Sequence, residues 1–218
     1  MFDQNILLPQ GCEQVLHVVA EDENSYEAHI SVYDYAEVAW RRTGGPYPCA
    51  VGKNGVSEDK IEGDGKTPAG VFALSHAMGF LTKPFVHHMA MVPIRFFDVW
   101  VDDEQSELYN TATTLPNALI KGARSFEMLM RPVYRQMLVV DYNRHPVEKG
   151  RGSAIFIHRL KKNRPYTAGC IALDERDLLS LYDLLDGSKG PVLFVEVSPT
   201  ASGRSPERGS PDPDPTAR

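Results

Sequence analysis

Hydrophobic and polar positions alternate along much of the chain, and the pattern predicts strands more often than helices. Residues 15–20 (Val-Leu-His-Val-Val-Ala) form an apolar run of strand length, and residues 29–35 alternate faces. Residues 38–40 continue the β character, and residues 47–51 give a further short strand ending at the turn Gly52-Lys-Asn-Gly55. Strands are also predicted at 71–74, 98–101, 138–142, 154–158 and 192–197, with residues 102–109 as a surface loop. A short helix is predicted over 125–130, stopped by Pro132. A clearer one runs from about 174 to 185, where Asp174 can cap the first turn and Leu178, Leu181, Tyr182 and Leu185 share a face. The expected fold is mostly β with one or two short helices, one domain over residues 1–197. Residues 198–218 are rich in Pro, Gly, Ser and alternating charge, bury almost nothing, and are expected to be a disordered tail.

Composition narrows the classes of function. The 42% hydrophobic and 24% charged content of the 218 residues is that of an ordinary globular protein, and the net charge is −6. No basic stripe interleaved with aromatics appears, so nucleic acid is not an expected partner. No apolar run approaches the roughly 20 residues of a membrane span. The first residues carry an acid, Asp3, where a signal peptide carries bases, and their apolar stretch covers only residues 6–8, so no export signal is visible. Cys12, Cys49 and Cys170 are too few and too scattered for a zinc site or a disulfide framework. Cys12 and Cys49 could pair in an oxidising compartment or stand as separate thiols; either way one free thiol needs a reason.

Most candidate motifs have a plain structural reading. Gly-Lys-Thr at 65–67 imitates the end of a P-loop, but Lys60 stands where that motif needs a glycine, and a stiff turn explains the segment. His87 and His88, adjacent on a strand, would point to opposite faces and so could not readily hold one metal ion. The acidic residues 102–104 lack the ligand alternation and glycine of a calcium loop. No metal or cofactor is expected.

Residues 154–173 differ. An apolar strand ends on His158, a polar loop follows, and Thr167-Ala168-Gly169-Cys170 leads into an apolar run and the capped helix. Small residues before a cysteine let backbone approach a substrate, and their N–H groups can face a developing oxyanion. An ordinary thiol is only a few per cent ionised at neutral pH, and an imidazole beside it can take the proton. On these residues alone, a buried structural cysteine and a strand-end histidine are the plainer description.

The same residues resemble the signature of the L,D-transpeptidase family, the YkuD-type catalytic domains acting on peptidoglycan: a strand-end histidine, a loop, then Ser or Thr, a variable residue, Gly and Cys. Further blocks in matching order are residues 51–55, 62–72, 98–103, 109–110, 142–143, 152–158 and 167–173, spanning roughly 47–185. The resemblance implies a β-sandwich-like fold with few helices. It implies that Cys170 attacks a stem peptide between its third and fourth residues, at the L centre of a diamino acid, expels D-alanine and passes the acyl group to an amine. His158 would be the base, the carbonyl of Arg159 would orient its ring, and N–H groups around Gly169 and Cys170 would form the oxyanion hole. Substrate would lie against Thr167 and Ala168, with Arg144, Arg159 or Arg164 as candidates for its carboxylate. Carbapenems would acylate Cys170, and the family implies a periplasmic or envelope location. Two positions depart from the common pattern: Ala168 where many members have histidine, and Ala172 where many have Arg or Asn. A hydrolase on the same scaffold, such as an L,D-carboxypeptidase, would share these residues, and a non-catalytic wall-binding module is the reading from another class.

Overall fold

The computed structural model describes residues 6–80 and 84–198, so the tail expected from residue 198 lies, save its first residue, outside the described residues. In chain order the elements are β1 (Gln14–Ala20), β2 (Glu27–Ala36), β3 (Ala39–Ala50), β4 (Val56–Ser57), β5 (Thr67–Pro68), β6 (Gly70–Gly79), β7 (Met91–Pro93), β8 (Asp98–Val101) and β9 (Ala112–Thr114). There follow α1 (Leu115–Ile120), β10 (Phe126–Met128), β11 (Gln136–Val140), β12 (Phe156–Arg159), β13 (Ile171–Leu173), α2 (Glu175–Leu184) and β14 (Val192–Val197). The fold is mostly β as expected; the strands expected at 38–40 and 47–51 are parts of one strand, β3, with Val38 in the turn before it, and the one expected from 154 begins at Phe156.

The main sheet runs β11-β12-β13-β3-β2-β1-β14-β6-β7, and β6 also pairs with β11. That extra pairing closes eight strands into a circuit. It is possible because β6 takes β14 along residues 70–73 and β11 along residues 74–79. Closure removes exposed edges, the usual aggregation hazard of an open sheet. Both the strands and α2 contribute to the main core, α2 through Leu178, Leu181 and Tyr182. Asp174 caps that helix, its carboxylate accepting from Asp177 N at 2.9 Å.

Alternation along β11 and β12 creates a second cluster on the other face. Leu138, Val140 and Ile157 point into the main core, while Met137, Val139 and Phe156 meet Trp100, Leu129 and Tyr134 beneath the small sheet β10-β8-β9. Two local expectations change. Residues 125–130 are not a helix: Phe126 and Met128 pair with Val101 and Val99, and the alternation Phe-Glu-Met suits an edge strand. The second helix is instead α1, which begins on Leu115-Pro116 and buries only Ala118, too little for an apolar stripe to show. At residues 37–38 the chain turns from β2 into β3, with Glu37 and Val38 both at positive φ (50° and 62°), as a tight primed hairpin turn requires.

Candidate active site

His158 and Cys170 stand on the same face of a parallel pair of strands. In the β12–β13 register His158 lies opposite Ala172, so Cys170, two residues earlier, shares that face. It is the face of the second cluster, to which Cys170 itself belongs. Both side chains line one pocket together with Tyr134, Arg164, Thr167 and Ala168.

The loop before Cys170 is held from two sides. Thr167 Oγ1 accepts from Gly169 N at 3.0 Å and donates to Cys170 O at 2.6 Å. Its backbone pairs with Val51 O and Lys53 N. From the other side Thr67 Oγ1 donates to Gly169 O at 2.8 Å and accepts from Gly52 N at 2.9 Å. Position 169 needs glycine because a Cβ there would sit 2.9 Å from Lys66 O. The Gly-Asp-Gly-Lys-Thr segment, expected as a stiff turn, thus buttresses the Cys170 loop. Asp64 fixes its shape by accepting from Ile61 N, Lys66 N and the buried Lys60 Nζ, each at 2.8 Å.

The strand leading to His158 is preceded by a strained residue. Ala154 has φ 54°, a left-handed conformation that costs a non-glycine residue about 1–3 kcal/mol. It is held by Asn110, whose Oδ1 accepts from Ala154 N at 3.1 Å and from Trp100 Nε1 at 2.9 Å. Asn110 Nδ2 in turn donates to Tyr142 O and Asn143 O. The conformation turns the Ala154 carbonyl to the nucleophile candidate: Cys170 Sγ donates to it at 3.3 Å.

The electrostatics leave both groups neutral at rest. Burial pushes the Cys170 thiol up to about 12, with Glu127 adding to the effect and the Phe156 amide and Lys60 opposing it. Burial lowers the His158 imidazole to about 4, helped by the charge of Arg131 and opposed by the Arg159 carbonyl. His158 Nδ1 lies 2.8 Å from Arg159 O. A carbonyl only accepts, so the proton sits on Nδ1 and Nε2 keeps its lone pair. The Tyr134 ring stands edge-on to the imidazole at 5.1 Å between centroids, and its hydroxyl donates to Glu127 Oε1 at 3.0 Å.

The other candidates from the sequence are dispersed. Ala168 and Arg164 line both pockets beside Cys170, Arg164 lying over the Tyr166 ring. Arg159 turns its side chain away to Glu175. Arg144 pairs with Asp141 at 3.0 Å, lies over Trp100 and lines neither pocket. Cys12 and Cys49 are free thiols in separate clusters. Sequence reading did not single out Thr67, Asn110, Tyr134 or Glu127. The first two fall inside the recurring blocks, whereas Tyr134 and Glu127 carry no local signal and reach the site only through pairing of β8 with β10 and packing on β12.

A sequence model of YkuD, the L,D-transpeptidase catalytic domain, matches residues 25–203. None of the curated proteins matches the chain. With the greater part of its length covered by that match, the chain belongs to the YkuD family of L,D-transpeptidase catalytic domains, whose activity is directed at peptidoglycan.

Proposed function

We propose that the protein is an L,D-transpeptidase that works through a thioester on Cys170. The observation that carries this reading is the shared pocket: Cys170 and His158 on one face of β12–β13, with Nδ1 tied to Arg159 O so that Nε2 is free to accept. With the thiol near 12 and the imidazole near 4, a preformed thiolate–imidazolium pair is disfavoured, and proton transfer accompanies attack.

In the first half-reaction sulfur bonds to the acyl carbon at the L centre of the third stem residue and the thiol proton passes to His158 Nε2. The acyl oxygen is received by the Cys170 N–H, since the Gly169 amide already donates to Thr167. Collapse breaks the C–N bond, and D-alanine leaves with the proton from the imidazolium. An amine of a second stem then attacks the thioester, gives its proton to His158, and the proton returns to sulfur as the C–S bond breaks. Such a substrate places the enzyme in the periplasm or cell envelope. Water in place of the amine would give a carboxypeptidase.

Mass spectrometry of purified muropeptides incubated with the protein tests the reading. Crosslinked dimers and free D-alanine are expected with wild type and neither with Cys170→Ala. Trimmed stems without dimers would replace the transferase by the hydrolase, and unaltered muropeptides would remove the proposal. A carbapenem should add its mass to the wild-type chain on Cys170 alone.

A further inference from the structure

Cys170 lines a second pocket, of about 210 Å³, whose lining does not include His158. This pocket has an acidic wall: Glu62, Asp102 and Glu127. Glu62 Oε2 accepts from the Tyr109 hydroxyl at 2.6 Å, Glu127 Oε1 is held by Tyr134 and Arg131, and Asp102 takes a hydrogen bond from Ser125. Only one oxygen of Asp102 is so engaged. Its Oδ1 is shielded from solvent and has no hydrogen-bond partner. The same holds for Oγ of Ser153, a residue only 7% exposed that lines the same pocket. Unpartnered buried polar atoms cost about 1–3 kcal/mol each, so two in one pocket call for a ligand that satisfies them. Burial raises the Asp102 carboxyl, and the charges of Glu62 and Glu127 add to it against a hydrogen bond from Ser125. A cation bound here relieves all three acids.

The chemistry of the lining selects the kind of cation. Among the described residues no three His, Cys, Asp or Glu side chains converge as metal ligands would. A primary ammonium has three donors, one charge and loose angular demands. Lys60, the buried cation on the same lining, is already committed to Asp64 at 2.8 Å. Lys53 and Arg164, also on the lining, suit a carboxylate carried beside the amine.

We propose that this pocket is an ammonium subsite, in which Asp102 Oδ1 and Ser153 Oγ bind the free side-chain amine of the diamino acid whose carbonyl faces Cys170. The subsite rests on the reading of Cys170 as a nucleophile toward stem peptides, and it makes the third stem residue the one the enzyme selects. Asp102 and Ser153 are specificity residues: they touch the substrate away from the bond that breaks.

The test measures binding without turnover, by calorimetry on the full chain carrying Cys170→Ala. The probes are two stem tetrapeptides alike except at the third residue, L-lysine in one and L-norleucine in the other. The lysine peptide should bind about tenfold tighter or more, the worth of a charge-assisted hydrogen bond. Asp102→Asn on that background should reduce the preference to about twofold and Ser153→Ala by about threefold, both leaving the norleucine peptide unchanged. Equal affinity for the two peptides overturns the subsite, as does failure of both to bind or a preference that survives both substitutions. If thermal melting shows that the asparagine variant does not fold, Ser153→Ala decides alone. Turnover separates this proposal from the one beneath it. A lysine preference without muropeptide turnover by wild type keeps the subsite and removes the transpeptidase, while turnover without a preference does the reverse.

Discussion

Cys49 and Cys170 leave the same fraction of their surface exposed, 8% each, and burial raises the thiol of both. Their surroundings differ. Cys49 sits near the end of β3 within the main core, and burial is the only influence on its thiol. Cys170 sits before β13, donates to Ala154 O, feels the Phe156 amide, Lys60 and Glu127, and opens on two pockets. Burial therefore does not tell a packing cysteine from a nucleophile. Polar partners on the sulfur and a cavity beside it are what favour Cys170 for the proposed role, since the two together would stabilise a transient negative charge while a substrate approaches.

The comparison breaks most sharply on turnover. Cys170→Ala should lower the rate of muropeptide crosslinking by at least about a thousandfold, as loss of a covalent nucleophile does. Cys49→Ala should leave the rate within about twofold, because its sulfur touches only core. Rates from matched enzyme concentrations, with folding checked by circular dichroism, settle it. Equal losses at both positions would return Cys170 to a packing role.

The next effect belongs to His158, which shares a pocket with Cys170 and not with Cys49. His158 is held near 4 in the folded chain against an ordinary 6.5, so it is neutral when folded, and the unfolded chain takes up a proton first as pH falls. Its contribution to stability is full above pH 6.5 and is lost as pH falls from 6.5 through 4, to the extent of about 3 kcal/mol. His158→Gln has no such proton to bind. Its melting temperature should fall by several degrees less than that of wild type between pH 7.5 and pH 4.5. Parallel melting curves across that range would show that the imidazole is already hydrated.

Much of this was legible before the structure. The run of residues 154–158 ending on histidine and the sequence Thr-Ala-Gly-Cys are local patterns, and local patterns give strands, turns and their order. What carried no signal was the arrangement made by closure of the sheet. Glu127 falls in the stretch that Pro132 makes look like a short helix, yet it lies in a strand paired with Trp100 of β8, some 25 residues away in sequence. Asp102 lies in the stretch expected as a surface loop, which fits its charge but not the shielding of its Oδ1 beside a pocket. Tyr134 reaches His158 only because a short turn after Pro132 packs on β12. Each is a long-range consequence, invisible to a window of ten or fifteen residues.

Thr67 links the two regions, since its hydroxyl ties the segment after the Cys49 strand to the loop before Cys170. Thr67→Val keeps the shape and removes both hydrogen bonds, leaving Gly52 N and Gly169 O without their partner. The expected cost is about 1–3 kcal/mol of stability, with roughly tenfold lower kcat as the Cys170 loop loosens. Urea unfolding and steady-state kinetics measure the two separately. If stability falls and kcat does not, the Cys170 loop is held well enough by Thr167 alone, and the two regions are less coupled than their hydrogen bonds suggest.

The smallest effect is the most discriminating, because it reads the surroundings of each sulfur and not its reactivity. At position 49 alanine removes one sulfur from a packed core, at about 1–2 kcal/mol, whereas serine also leaves a hydroxyl without a partner and should cost about 1–2 kcal/mol more. At position 170 the ranking should invert. A serine hydroxyl there can donate to Ala154 O and accept from the Phe156 amide, both of which alanine would abandon. Cys170→Ser should therefore be more stable than Cys170→Ala by about 1 kcal/mol, although neither turns over substrate at the wild-type rate. Four urea titrations under one buffer give the four numbers. If alanine is the better replacement at both positions, the polar contacts of Cys170 contribute nothing in solution, and the two thiols differ only in the space beside them.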